Sequence, residues 1–153
     1  MRTLIAVSSV LAAVTPAARA QDITGVWKPV EVFVGAGVDS GSHVSQPGLV
    51  IYTKSYFASV RLQGLAPRPV VQGTPSDHQR VMMWQPFVAF AGTYTIHDSL
   101  LSITPSVAKN PDEMAGRALT FKVRVVADSM WVYFGEAGVG RWVKSVRIER
   151  LPT

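Results

Sequence analysis

The sequence has no cysteine among its 153 residues. This excludes disulfide bonds within the chain, thiolate metal ligands and a cysteine nucleophile, so the fold must be held by burial alone. The excess of positive over negative charge is also small, since 15 basic and 10 acidic side chains give a formal charge of +5, and the basic residues form no run. A nucleic-acid partner is therefore not expected.

The first twenty residues have the pattern of a cleaved signal peptide. Arg2 supplies the positive start, residues 4–14 form an apolar stretch, and Ala18-Arg19-Ala20 matches a small-residue cleavage site. The apolar stretch is shorter than the roughly twenty residues of a membrane-spanning helix. We expect cleavage after Ala20, one domain over residues 21–153, a periplasmic or secreted product, and no integral membrane association.

The clearest structural signal is a β-hairpin over residues 48–62. Two β-rich runs, Gly48–Tyr52 and Tyr56–Leu62, flank Lys54-Ser55. A two-residue turn there places one wholly apolar set on one face and a mixed aromatic and polar set on the other. The mixed set is Val50, Tyr52, Phe57, Ser59 and Arg61. A hairpin cannot bury both faces alone, so further strands are required.

The remaining chain supplies those strands. A strand beginning near Ile23 runs to Val34, and residues 35–48 are predicted as a loop because they contain four glycines and a proline. One helix is predicted at about residues 76–91, kinked or ended by Pro86. Five more β-rich runs follow it, separated by short turns. The fold class is all-β, an eight-stranded antiparallel up-and-down β-barrel with one inserted helix.

Aromatic rings with polar partners mark a candidate ligand site in such a barrel. Rings with polar tips and a few orienting donors are what an apolar pocket requires, although the same residues can simply fill a core. Arg61 is the most informative, because an inward guanidinium would need an anionic partner, whereas an outward one would be a surface residue. The candidate ligand-binding residues are Tyr52, Ser59, Arg61, Trp84, Phe87, Tyr94, Trp131 and Tyr133.

No pattern identifies a catalytic or metal site. The three histidines, His43, His78 and His97, form no metal-binding pair, and no serine lies in a nucleophile elbow. We therefore predict no catalytic residue, no metal and no cofactor. Binding is favoured over catalysis, with a cofactor-free isomerase or cyclase, or a packed structural or interaction domain, as alternatives.

Several motifs, in their order along the chain, resemble the bacterial lipocalin-like domain family. Gly25-Val26-Trp27 matches the Gly-x-Trp of lipocalin-type barrels, and it is followed by Pro47–Tyr52, Tyr56–Ser59, a helix, and Phe87–Tyr94. The turn between Tyr52 and Tyr56 departs from that family by having no glycine, which predicts some strain there. Residues 100–104 lack the histidines frequent in the family, so histidine chemistry is not carried over.

The resemblance implies a barrel that holds a small, largely apolar molecule. It also implies that Trp27 closes one end of the barrel, next to Gly25, with Arg147 or Arg150 from the last strand across its ring. The function expected on this basis is the binding or carrying of a small hydrophobic or amphipathic molecule in the barrel interior. The sequence determines neither the ligand nor the oligomeric state.

Overall fold

The structure is a computed structural model that describes residues 21–135 and 140–152. Within these residues the chain forms nine strands, one α-helix (α1, Asp77–Trp84) and one 3₁₀ turn (Pro111–Met114). The strands are β1 (Gly25–Val34), β2 (Gly41–Val44), β3 (Gly48–Tyr52), β4 (Tyr56–Leu62), β5 (Phe87–His97), β6 (Leu100–Ala108), β7 (Leu119–Val126), β8 (Ser129–Phe134) and β9 (Arg141–Glu149).

The strands close into an antiparallel barrel with eight strand positions around its wall. From β3 to β9 each strand pairs with the next, and β9 pairs back onto β1 along residues 26–34. On its other edge β1 pairs first with β3, at Gly25–Trp27, and then with β2, at Glu31–Val34. Strands β2 and β3 thus occupy one strand position of the barrel, interrupted at residues 45–47, so the nine strands fill eight positions. The predicted eight-stranded barrel is confirmed.

Two local predictions are corrected. The segment 35–48 is not a loop throughout, because Gly41–Val44 pairs with the far part of β1. The helix does not extend to residue 91. It ends at Trp84, and Phe87 already begins β5, because Pro86 has no amide hydrogen for a further helical bond. Its start is sharply defined, since Ser76 and Gln79 form a reciprocal capping box.

The hairpin of β3 and β4 has the predicted register. Tyr52 pairs with Phe57 and Val50 with Ser59, so the turn is centred on Lys54-Ser55. The expected strain is absent. Neither turn residue has a positive φ, and the only non-glycine residues in the described ranges that do are Asp98 and Ala127. Tyr52, Phe57 and Ser59 are buried whereas Val60 is half exposed, so the hairpin directs its mixed face into the barrel.

The core occupies one end of the barrel. Its most completely buried side chains are Ile23, Trp27, Leu101, Val123 and Met130. Trp27 lies near the start of β1, and Leu101, Val123 and Met130 lie near the turns that join β5 to β6 and β7 to β8. The opposite end is formed by residues around Val34, Leu62, Phe134 and Arg141, and no side chain there is among the fully buried ones.

Within the described residues, no helix has the length and apolar character to cross a membrane. The same ranges contain no cluster of three or more histidine, aspartate or glutamate side chains that could hold a metal ion.

Candidate functional site

One end of the barrel is closed by Trp27. The indole is 0% exposed, and its Nε1 donates a hydrogen bond of 2.7 Å to the carbonyl oxygen of Ile23. The Arg147 guanidinium lies 4.5 Å from the centre of the Trp27 ring. This is a cation–π contact between the first and last strands of the barrel. Trp27 and Arg147 together form a solid floor.

Arg147 is held in place by the chain that precedes β1. Its side chain is only 4% exposed, and its two terminal nitrogens donate to the carbonyl oxygens of Thr24, at 3.0 Å, and Asp22, at 2.9 Å. The Asp22 and Asp128 carboxylates lie 3.6 and 3.4 Å from the guanidinium. Desolvation pushes the pKa of Asp22 upward, but the hydrogen bond from the Thr24 amide and the charge of Arg147 bring it below its ordinary value.

Gly25 makes this arrangement possible. A Cβ atom at residue 25 would lie 2.5 Å from the carbonyl oxygen of Glu149 and 3.3 Å from Cδ of Arg147. Its φ of +139° is also one that side chains with a Cβ rarely adopt. A glycine is therefore required where the last strand and its arginine cross the start of β1.

The interior is divided into a packed half and a hollow half. The cavity immediately above the core has a volume of about 40 Å³, close to the space of one water molecule. At the open end a cavity of about 800 Å³ lies between the ends of β1, β4, β8 and β9 and the segment that follows β4. Only the second cavity has the size of a site for a small organic molecule. We call it the mouth cavity.

Arg61 lies where these two spaces meet. It lines the small inner cavity, the mouth cavity and a side cavity of about 240 Å³ next to β5. Its guanidinium is 5.0 Å from the ring centre of Phe134, which lines the same three spaces. Burial, reinforced by the positive charge of Arg141, lowers the pKa of Arg61 to about 10. Arg61 is therefore an inward-facing, largely desolvated cation.

The other polar groups of the mouth come from several elements. Arg141, at the start of β9, lines both the mouth and the side cavity. Gln46 donates to the carbonyl oxygen of Leu65 at 3.1 Å, which ties the break between β2 and β3 to the segment after β4. Glu113 lines the side cavity, and its carboxylate accepts a hydrogen bond from Asn110. The hydrogen bond from Gln46 to Leu65 therefore links two segments at the rim of the opening.

The structure brings some of the predicted ligand residues to these cavities. Tyr52, Ser59 and Arg61 line the inner cavity, and Phe87 lines the side cavity. Tyr94 lies deeper, with its ring edge-on to Tyr52 at 5.1 Å and its hydroxyl donating to the carbonyl oxygen of Thr53. It belongs to the closed end rather than to the mouth.

The other three predicted residues do not line the inner, mouth or side cavity, although Tyr133 lines a separate cavity of about 310 Å³ next to Leu100 and Lys122. Trp84 is at the end of α1, where it is half exposed and its ring packs at a tilt against Phe87. Trp131 and Tyr133 alternate with the inward residues of β8 and lie on its outer face. The centre of the Trp131 ring there lies 5.6 Å from the charged groups of both Arg124 and Lys144, and the Tyr133 ring packs at a tilt against Trp142.

Sequence reasoning missed Phe134 and Arg141. A signal for both existed. Phe134 is two and four residues from the buried Val132 and Met130, and Arg141 is two residues from the buried Val143. Strand alternation therefore places both on the same face as these buried residues, whereas the predicted Trp131 and Tyr133 lie on the opposite face of β8.

A closed antiparallel barrel with a tryptophan–arginine floor and a hollow open end defines a lipocalin-like fold. Among solved structures the chain is similar to a lipocalin-like protein from Bacteroides uniformis, with 17% identity, a TM-score of 0.50, and coverage of 84% of this chain and 100% of that one. It is also similar to an uncharacterized protein from Bacteroides eggerthii, with 16% identity, a TM-score of 0.46, and coverage of 82% and 99%.

No family model matches the chain, and no curated protein matches it significantly. At the identity of the Bacteroides uniformis protein the likeness shows the fold alone.

Proposed function

We propose that the protein binds or carries a small hydrophobic or amphipathic molecule in the open half of its barrel. The observation that carries the proposal is the mouth cavity, whose volume of about 800 Å³ lies in the 300–1,000 Å³ range of small-molecule pockets. Apolar side chains of Val32, Val34, Leu62 and Val143 contribute to its wall, and Arg61, Gln46 and Gln63 supply a few polar groups. This mixture suits a ligand that is partly apolar.

The test uses N-phenyl-1-naphthylamine, an uncharged dye whose fluorescence rises in apolar surroundings. We expect saturable binding to the wild-type protein. The variant Val34→Trp, at the end of β1, places an indole in the mouth cavity and should abolish the binding. Val60→Trp, on the outer face of β4 where Val60 is half exposed, adds the same side chain outside the barrel and should leave it unchanged.

Two results would overturn the proposal. One is the absence of saturable binding by the wild-type protein to this dye and to a panel of fatty acids, retinoids and terpenoids. The other is equal binding by wild type and Val34→Trp, which would place the dye outside the cavity. Mass spectrometry of molecules that co-purify with the protein then identifies the natural ligand.

We further propose that the protein acts outside the cytoplasm, in the periplasm or as a secreted protein. The support is the signal-peptide pattern of residues 1–20, which lie outside the described residues. Ile23, three residues after the predicted cleavage site, is fully buried, and its carbonyl oxygen accepts the hydrogen bond from Trp27. Expression in a bacterium with an export system should yield a mature protein that begins at Gln21. Mass determination of an uncleaved chain confined to the cytoplasm would contradict this.

A further inference from the structure

Arg61 is placed differently from the other inward-facing arginine at the floor. The Arg147 guanidinium donates to two carbonyl oxygens and lies within 4 Å of two carboxylates. The Arg61 guanidinium makes no hydrogen bond and no ion pair with any residue of the ranges 21–135 and 140–152, and neither does that of Arg141. Two guanidinium groups thus line the mouth with their donors uncommitted to the described chain.

No acidic side chain in the part of the chain that the structure describes forms an ion pair with either guanidinium. Asp39 lines the mouth cavity and Glu113 the side cavity, but neither lies within ion-pair distance of Arg61 or Arg141, and the Glu113 carboxylate already accepts a hydrogen bond from Asn110. Burial and the neighbouring Arg141 charge lower the pKa of Arg61, and the smaller opposing effects of Tyr52 and Glu113 offset this only in part. Among the described residues, the lining of the mouth cavity therefore carries two guanidinium groups and one carboxylate, that of Asp39, in a partly desolvated space.

The backbone opposite Arg61 is shaped to admit its side chain. Gly48 pairs with Arg61 across β3 and β4, and a Cβ atom at residue 48 would lie 2.5 Å from Cβ of Arg61 and 3.5 Å from the Pro29 ring. Any larger residue would push against the arginine or its strand. On its far side the guanidinium rests over the Phe134 ring. Arg61 is therefore held at a defined position with its donors directed to the cavities.

We infer that the ligand is an organic anion whose carboxylate, phosphate or sulfonate group is bound by Arg61 together with Arg141. This inference rests on the proposed function and names its ligand class. A desolvated cation without a partner is costly, and an acidic group on the ligand removes that cost while accepting hydrogen bonds from the planar donor fork.

The orientation of the ligand follows from the two volumes. The inner cavity of about 40 Å³ holds no more than a small group, so the body of the ligand extends outward. The acidic group then lies at the inner end of the mouth cavity, next to Arg61 and Phe134. The apolar body lies along Val32, Val34 and Leu62 toward the opening. The ligand thus enters with its charged group first.

The experiment compares two dyes that differ only by one sulfonate group. One is 8-anilinonaphthalene-1-sulfonate and the other is N-phenyl-1-naphthylamine, which has the same rings without the sulfonate. Dissociation constants of both are measured by fluorescence at pH 7 with wild type, Arg61→Met, Arg141→Met and Arg124→Met. Arg124 is the matched control, since it lies on the outer face of β7 over Trp131.

We expect Arg61→Met to weaken binding of the sulfonate dye by about ten- to a hundredfold, the value of a charge-assisted hydrogen bond. Binding of the uncharged dye should stay within about twofold or become tighter, because a charge is replaced by an apolar side chain. Arg141→Met should act in the same direction, and Arg124→Met should change neither constant. Higher salt should weaken only the sulfonate dye in the wild-type protein, a measurement that does not depend on any variant folding.

The outcomes separate the two proposals. Binding of neither dye by the wild-type protein refutes the proposed function. Equal binding of both dyes, without a salt effect and without a selective loss in Arg61→Met, refutes the anionic ligand while the binding cavity stands. A cooperative thermal transition of each variant shows that the dyes report on a folded barrel.

Discussion

Replacement of Arg147 by alanine tests whether the barrel floor is a major source of stability. The substitution removes two hydrogen bonds from a charged donor, worth roughly 1.5–3 kcal/mol each, and a cation–π contact worth about 0.5–2 kcal/mol. The Asp22 and Asp128 side chains are more than half exposed, so water can solvate them and part of this sum is recovered. We expect a net loss of about 3–5 kcal/mol, in the range found when one partner of a buried charge network is removed.

The assay is urea or thermal unfolding followed by tryptophan fluorescence and circular dichroism. For a domain of this size the loss corresponds to a fall in Tm of roughly 10–20 °C. Arg150→Ala is the matched control, because Arg150 also pairs with Asp128 but its side chain is 64% exposed, and exposed pairs contribute about 0–1 kcal/mol. Arg147→Lys should fall between the two, since lysine keeps the charge but not the planar fork. Equal losses for Arg147→Ala and Arg150→Ala would refute the reasoning.

Three further predictions concern the interior. Arg61→Met should stabilise the ligand-free protein by about 1–2 kcal/mol in calorimetry at pH 7. At this pH, well below the folded-state pKa of about 10, Arg61 is protonated in both the folded and the unfolded protein, so the full cost of desolvating its charge opposes folding. A loss of stability in the variant would contradict this. Burial, with a smaller contribution from Tyr94, raises the pKa of Tyr52 above its ordinary value, so the stability that Tyr52 contributes is present below about pH 10 and is lost as the pH rises. In urea titrations at pH 9–11, Tyr52→Phe should therefore show a shallower decline than wild type, and identical slopes would count against it. Gly92→Ala should cost about 2–4 kcal/mol in the same assay, because its Cβ would lie 2.1 Å from the Thr104 carbonyl oxygen at the bulge between β5 and β6; a cost under about 0.5 kcal/mol would show that the bulge relaxes.

Much of the fold was predictable because the strands of this chain carry a clean alternation. In β7, Leu119, Phe121, Val123 and Val125 alternate with polar residues, which fixes the inner face without further information. The hairpin register followed from the turn and from the pairing of its two runs. The helix end was misplaced because Val88 and Ala91 continue the helical spacing of Val81 and Trp84, whereas the chain after Pro86 pairs with β4.

The candidate site was predictable only in part. In β8 both faces carry large apolar side chains, so alternation separates Trp131 and Tyr133 from Phe134 without saying which set lies inside. Arg61 posed the same problem in the hairpin, since the sequence left open whether its face lies inside or outside. The closure of the barrel decides both cases, and closure depends on contacts between β1 and β9 that are far apart in sequence.

Because one half of the barrel is packed and the other is hollow, the residues that stabilise the fold are separate from the residues that would select a ligand. The side chains that resist unfolding are collected around Trp27, at the far side of Arg61 from the opening. Positions around the rim, such as Val34, Leu62 and Arg141, can therefore be exchanged with little effect on whether the chain folds. A library randomised at those positions should retain cooperative melting while its members differ in what they take up, which makes this small cysteine-free barrel a practical starting point for designed receptors.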